Sequence, residues 1–435
     1  MNTRLCHSLP LFLLVFSLPL LCTAQDFDRY FTDATLRLDY IFSGDVRHQE
    51  LAVDDLHQMP HWYGKRRHLA EVPMRGNGQV IMRDHATGTV IYRNSFSTLF
   101  QEWLSYPEAQ TVRKAFQNVF LTPMPKDTAD VTIELYDTRQ KVMASLTHTV
   151  VPTDILIRRT GYTHVTPYVT LQQAADTTRC IHIAYVAEGY QEGEMETFLH
   201  DAREAMSALF AHEPFKSLRD RFHIIALLSP SEDSGTSSPR KGIWKNTVLH
   251  SHYDTFYSER YLTTLHLKDL HDCLAGTPYE HINVLVNSEQ YGGGGILNSY
   301  NLTSTHHSNF KPVVVHEFGH SFAGLGDEYA YETEEVPMYP HDVEPWEPNL
   351  TTLADFHGKW EDLIAKGTPI PTPLSTDKKV IQSRIGVFEG AGYSPKGVYR
   401  PCQDCRMRTN EYPTFCPVCD RALRRVINFY TNDIY

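Results

Sequence analysis

Apolar residues recur at a spacing of two through the first third of the chain. Leu36, Leu38 and Tyr40 alternate with polar neighbours. Val80 to Met82 and Val90 to Tyr92 flank a turn containing Asp84 and Gly88, and Val131 to Tyr136 and Val142 to Leu146 flank Asp137-Thr-Arg-Gln. Alternation sends one face of a strand inward and the other to solvent, and turn residues between such runs read as hairpins. Residues 25–160 are therefore expected to form an N-terminal β-sandwich domain. This part offers no metal cluster and no nucleophile arrangement, which favours a packing, prodomain-like or surface-binding module.

A polar stretch from about Thr160 to Arg179 reads as a connection, and beyond it the pattern changes. Ile181 to Val186, Phe222 to Leu228 and Ile282 to Val286 are short strand candidates, and the last runs into Gly292-Gly-Gly-Gly295. Met195, Phe198, Leu199, Ala202, Ala205, Met206, Leu209 and Phe210 recur at helical spacing. A C-terminal helix is expected from about Pro417 to Phe429. Strands alternating with helices predict a mixed sheet covered by helices, an α/β domain over 178–435.

The first residues change the picture in another way. Arg4 precedes the apolar run Leu9 to Leu21, and Thr23 and Ala24 follow. That order predicts a signal peptide over residues 1–24 and a secreted, periplasmic or surface location. About thirteen apolar residues are too few to span a bilayer, and no later segment is a transmembrane candidate. A formal charge of −12 argues against nucleic acid as a partner, because nucleic-acid binders need a basic face.

The chemistry concentrates in VVVHEFGH at 313–320. On a helix His316 and His320 project from one face and can grip one ion, and Glu317 can reach a water on that ion. H-E-x-x-H thus places two zinc ligands and a general base in a turn and a half. Val313, Val314, Val315, Phe318 and Phe322 make the helix apolar, as a buried active-site helix should be. Gly324 and Gly326 allow a sharp exit, and Asp327 follows where a third ligand is needed. The expected reaction is peptide hydrolysis by zinc-bound water with Glu317 as base, then as proton donor to the leaving amine.

HEFGHSFAGLGDEY, the upstream strand with its glycine run, and the late Cys-Arg-Met…Phe-Cys-Pro-Val-Cys segment resemble the IgA-peptidase family of bacterial zinc metallopeptidases. The resemblance covers roughly 180–430, and the β-rich front part resembles that family's N-terminal domain. It implies a metzincin-like zincin fold, His316, His320 and Asp327 as metal ligands, Glu317 as catalytic base, and Met407 in a Met-turn beneath the ion. Relative to the commonest metzincin pattern, Gly324 comes one position late, and an aspartate stands for the third histidine, also one position late. Glu328 is therefore the alternative third ligand. Immunoglobulin A, other host or secreted proteins, or mucins are the substrates to consider.

Six cysteines remain after the leader. Cys402-x-x-Cys405 and Cys416-x-x-Cys419 fit a second, structural zinc site, while export favours disulfides. Either staple would fix the Met-turn. Cys180 and Cys273 are a further disulfide or two buried thiols. Tyr412 and Tyr329 are candidate oxyanion donors. The strand at 282–286 is expected to pair with an extended substrate. His306 and His307 read as solvated, and the proline- and acid-rich segment from about Tyr331 to Lys379 as an insertion near the cleft. Two rival readings stand beside the peptidase: a non-catalytic surface-binding protein with structural zinc, and a zinc-dependent amidase or deacetylase.

Overall fold

The computed structural model describes residues 27–331 and 338–432. The expected signal peptide at 1–24 lies outside the described residues, as do residues 332–337 of the proline- and acid-rich segment.

In chain order the first half contains α1 (Phe27–Tyr30), β1 (Phe31–Gly44), β2 (Gln49–Met59), β3 (Gly78–Asp84), β4 (Val90–Phe96), α2 (Leu99–Trp103), β5 (Lys114–Pro125), β6 (Ala129–Tyr136), β7 (Val142–Val150) and β8 (Arg158–Arg159). These strands form two four-stranded sheets, β5-β1-β2-β8 and β4-β3-β6-β7. The period-two pattern explains them: along β6, buried and half-buried positions alternate without a break. Leu36, Leu38, Tyr40 and Phe42 of one sheet share a core with Val80, Met82, Val131 and Ile133 of the other.

The second half contains β9 (Tyr168–Gln172), β10 (Ile181–Glu188), α3 (Met195–Phe210), β11 (Phe222–Leu227), α4 (Leu267–Leu274), β12 (His281–Val286), β13 (Gly293–Ile296), β14 (Tyr300–Ser304), α5 (Phe310–Ala323), α6 (Lys378–Ser383), β15 (Phe388–Ala391), β16 (Ser394–Arg400) and α7 (Pro417–Thr431). A six-stranded mixed sheet runs β13-β14-β12-β10-β11-β9. β10 pairs in parallel with both β11 and β12, and every residue of β10 and β12 is buried. A strand with parallel neighbours on both sides and cover on both faces has no use for alternation. Helices α3, α5 and α7 pack over one face, in a core with Phe215, Phe222 and Phe318.

The structure departs from expectation in two places. The polar stretch read as a connection carries β9, which closes one edge of the sheet antiparallel to β11. The strand expected to meet substrate, β12, lies inside the sheet between β14 and β10. The edge beside the histidine helix is the glycine run itself, β13, antiparallel to β14.

The other face of the sheet rests on the first half of the chain. Ala184, Val186, Ile225 and Val284 belong to the same buried cluster as the two four-stranded sheets. A charged cluster centred on the buried Arg37 crosses the junction. Arg37 Nε and Asp39 Oδ1 of β1 are 2.7 Å apart, and Arg37 Nη1 reaches Asp272 Oδ1 of α4 at 2.5 Å.

Candidate metal centre and cleft

Helix α5 presents the chemistry because of how it starts and stops. Pro312 stands in the first turn, where no intrahelical amide partner is required. The helix ends at Gly324, whose φ of +58° lets its N–H turn back to the carbonyls of Gly319 and His320. A left-handed residue at this position suits glycine. The turn brings Leu325 O to 2.5 Å from His320 Nδ1 and swings Asp327 round to face both histidines. His316 Nδ1 lies 3.0 Å from Arg406 O. A carbonyl can only accept, so both rings donate from Nδ1 and turn the lone pair of Nε2 toward each other.

Those lone pairs converge with a carboxylate. The Nε2 atoms of His316 and His320 are 3.0 Å apart, and Asp327 Oδ1 is 3.0 Å from the first and 3.3 Å from the second. Three donors held at about 2.0–2.1 Å from a tetrahedral zinc would be spaced by about 3.3 Å. The donor set and its spacing therefore fit a zinc ion, and the carbonyl bonds at Nδ1 are the outer contacts that orient metal-ligating histidines. Without a cation, burial opposes charge on His320, yet the Asp327 carboxylate beside it raises the ring to about 9. Burial works against the Asp327 charge as well, and the two imidazoles still hold it well below the usual carboxylate range.

Glu317 points into the same space. Burial raises its pKa, with His316 and His320 pulling the other way. A methyl group on Gly293 would stand 2.5 Å from Glu317 Oε1, and one on Gly295 2.5 Å from the Glu317 carbonyl. The glycine run is thus what lets β13 lie directly against α5. Met407 is fully buried beneath the helix, where a methyl on Gly319 would stand 2.9 Å from its sulfur.

Glu328, the alternative third ligand, is not part of this cluster. The backbone turns between the two acids, and the Glu328 carboxylate enters the cysteine cluster instead, 3.1 Å from Cys419 Sγ. Cys402, Cys405, Cys416 and Cys419 are buried free thiols, as is Cys180, and Cys273 is a half-buried free thiol. Tyr412 does not line the cleft, whereas Tyr329 does. His306 is tied to Asp201 at 2.9 Å and takes no part in the centre.

Three contributors carried no legible signal. Tyr393 donates its hydroxyl proton to Asp327 Oδ2. Arg260 donates to the Tyr329 hydroxyl at 3.1 Å and lines the cleft. Glu102, from the first half of the chain, accepts from Tyr261 at 2.6 Å. The cleft is large, about 1420 Å³, with α2 and Tyr136 on one wall, β13 and α5 at its floor, and Met338 to Glu347 of the proline-rich segment on another side.

Mixed α/β architecture, an N-terminal unit of two sheets and a three-donor centre on a cleft define a two-part enzyme able to hold a metal. A family model described as IgA Peptidase M64 matches residues 169–384 and 377–427, and one described as Peptidase M64 N-terminus matches residues 26–147. The chain belongs to the IgA peptidase M64 family, which makes it a metallopeptidase. No curated protein matches it.

Proposed function

We propose that this chain is an exported, zinc-dependent endopeptidase of zincin type that cleaves internal bonds of protein substrates. The observation that carries the reading is the convergence of two imidazole nitrogens and one carboxylate oxygen beside Glu317, on the floor of a cleft with room for an extended peptide. Zinc held by His316, His320 and Asp327 would supply Lewis acidity at the peptide carbonyl and acidify a water. Glu317 takes the proton from the attacking water and returns it to the leaving amine. Arg260 and Tyr329 lie across the cleft as hydrogen-bond donors toward charge that develops on the substrate oxygen.

Substrate binding follows from the sheet edge. Gly293 already exchanges backbone contacts with Arg260 O and Leu262 N, both at 3.4 Å. Strand alternation aims the Gly295 amide and carbonyl to the same side, where an extended chain can add to the edge. Immunoglobulin A or another host or secreted protein is the substrate class in view. Export rests on the leader pattern at residues 1–24; no helix among the described residues is long and apolar enough to cross a membrane.

Incubation with a peptide library and with immunoglobulin A, beside Glu317→Gln and a chelator control, tests the reading. Internal cleavage lowered at least ~10²-fold by Glu317→Gln, at unchanged metal content, supports it. Undiminished cleavage by that variant overturns Glu317 as base. A zinc-loaded, folded wild-type chain that cleaves no peptide but releases acyl groups from amides would favour the amidase alternative.

A further inference from the structure

A second cluster of metal-competent side chains lies behind the first, on the far side of the Asp327–Glu328 peptide. Glu328, Cys405, Cys416 and Cys419 bring one carboxylate oxygen and three sulfurs within 4.8 Å of one another. All four are buried, Glu328, Cys405 and Cys419 completely. Glu328 Oε1 is 3.1 Å from Cys419 Sγ and 3.9 Å from Cys416 Sγ, and the Cys405 and Cys419 sulfurs are 3.8 Å apart.

Those distances match a tetrahedral ion. Two thiolates at about 2.3 Å from zinc are about 3.8 Å apart, and a thiolate and a carboxylate oxygen about 3.5 Å apart. They do not match a disulfide, whose sulfurs sit at about 2.05 Å. The backbone is arranged for negative sulfur. Cys416 N–H points to Cys405 Sγ at 3.2 Å, and Cys416 Sγ caps the N-terminus of α7 by accepting from Cys419 N–H at 3.5 Å. Glu328 supplies an independent indication. Its Oε1 accepts from Asn349 Nδ2 at 3.0 Å, while Oε2 is buried with no hydrogen-bond partner. Arg400, whose charge acts on Glu328, is committed to the carbonyls of Glu389, Gly390 and Gln403. A charged carboxylate shut among thiols with an unused oxygen is costly, and a cation beside it relieves that cost.

We propose that Glu328, Cys405, Cys416 and Cys419 hold a second, structural zinc ion, with Cys402 beside Cys416 but outside the ligand set. The ion would brace the first centre through two hydrogen bonds. The backbone immediately after Cys405 offers Arg406 O to His316 Nδ1 at 3.0 Å and Met407 O to Glu328 N–H at 2.8 Å. One side of the second centre thus orients a ligand of the first, and anchoring Glu328 fixes the backbone immediately after Asp327. The assignment does not depend on the cleft hydrolysing anything.

Cobalt substitution of the purified full-length protein separates the two centres, because only thiolate ligands give a sulfur-to-cobalt charge-transfer band. The expected result is two metal ions per chain, with the band retained in His316→Ala/His320→Ala, where one ion is lost. Glu328→Gln is expected to weaken metal retention at the thiolate centre at least tenfold in a chelator competition, and Cys402→Ser to leave it unchanged. Loss of the band in Cys402→Ser with full retention in Glu328→Gln would overturn the ligand set. Absence of the band from the cobalt-loaded wild-type chain would overturn the site. So would a non-reducing peptide map of the native protein showing Cys405, Cys416 or Cys419 in a disulfide, a result that needs no variant to fold.

Discussion

Asp327 uses both of its oxygens. Oδ1 faces the two histidines, and Oδ2 accepts from Tyr393, whose phenol is kept protonated by burial and by the carboxylate itself. An outer partner of this kind aligns a ligand and tunes its charge. Tyr393→Phe should therefore weaken metal binding or lower activity by about 10–100-fold without unfolding the chain. Competition with a chromogenic chelator measures it, and unaltered affinity and turnover would dismiss the role. The histidines and Asp327 were legible because helical spacing and a glycine stop bring them together within twelve residues of chain. Tyr393 was not, since it lies 66 residues beyond Asp327 and meets it only through tertiary folding. The acid after Asp327 shows the same limit: adjacent carboxylates looked interchangeable, and only the path of the backbone sends Glu328 to the cysteines.

Strands and helices were largely legible, because burial on one face or on both leaves its mark on side-chain pattern. β10, β11 and α3 lie close to where apolar spacing puts them. Their order in the sheet left no such mark. β13 consists of three glycines and one isoleucine, so it has almost no side-chain pattern to read, and the apolar β12 took its place as the expected edge. The role of β13 is steric. Gly295→Ala would set a methyl 2.5 Å from Glu317 O and 2.9 Å from His320 Cβ, both parts of α5 that cannot yield without moving the helix. The expected cost is about 1–3 kcal/mol of stability, with a larger relative loss of activity than of folded protein. Chemical denaturation beside an activity assay checks this, and a variant as stable and active as wild type would show that strand and helix can separate freely.

The two halves of the molecule share a core, a feature that period-two patterning could not announce, since a strand reports that a face is buried and not what buries it. Arg37 and Asp39 are fully buried at this junction. Asp39→Ala leaves the buried Arg37 with only the half-exposed Asp272 as a charged partner, so it should cost up to about 3–5 kcal/mol. Because the core is common, both halves should unfold in one transition; two separated transitions in calorimetry would refute the shared core. Acid should find a second weakness. Burial lowers both His271 and His281 to about 3, while an unfolded histidine takes its proton near pH 6.5. Above that pH these groups contribute no slope. Below it the unfolded chain binds more protons, so stability falls by up to about 1.4 kcal/mol per pH unit per histidine until the folded pKa is reached. Denaturant midpoints between about pH 6.5 and 5 should slope less steeply for His281→Phe than for wild type; parallel slopes would count against the assignment.

One wall of the cleft comes from the first half of the chain, through α2 and the contact of Glu102 with Tyr261. A front domain that merely plugged the site could be clipped away to leave a working protease, as in a zymogen. Here such clipping would strip that wall from the mould in which the substrate lies and open the underside of the central sheet to water. Activation by shedding the front is thus closed to this architecture, and variation in α2 becomes a means of changing which proteins are cut while the metal ligands stay untouched.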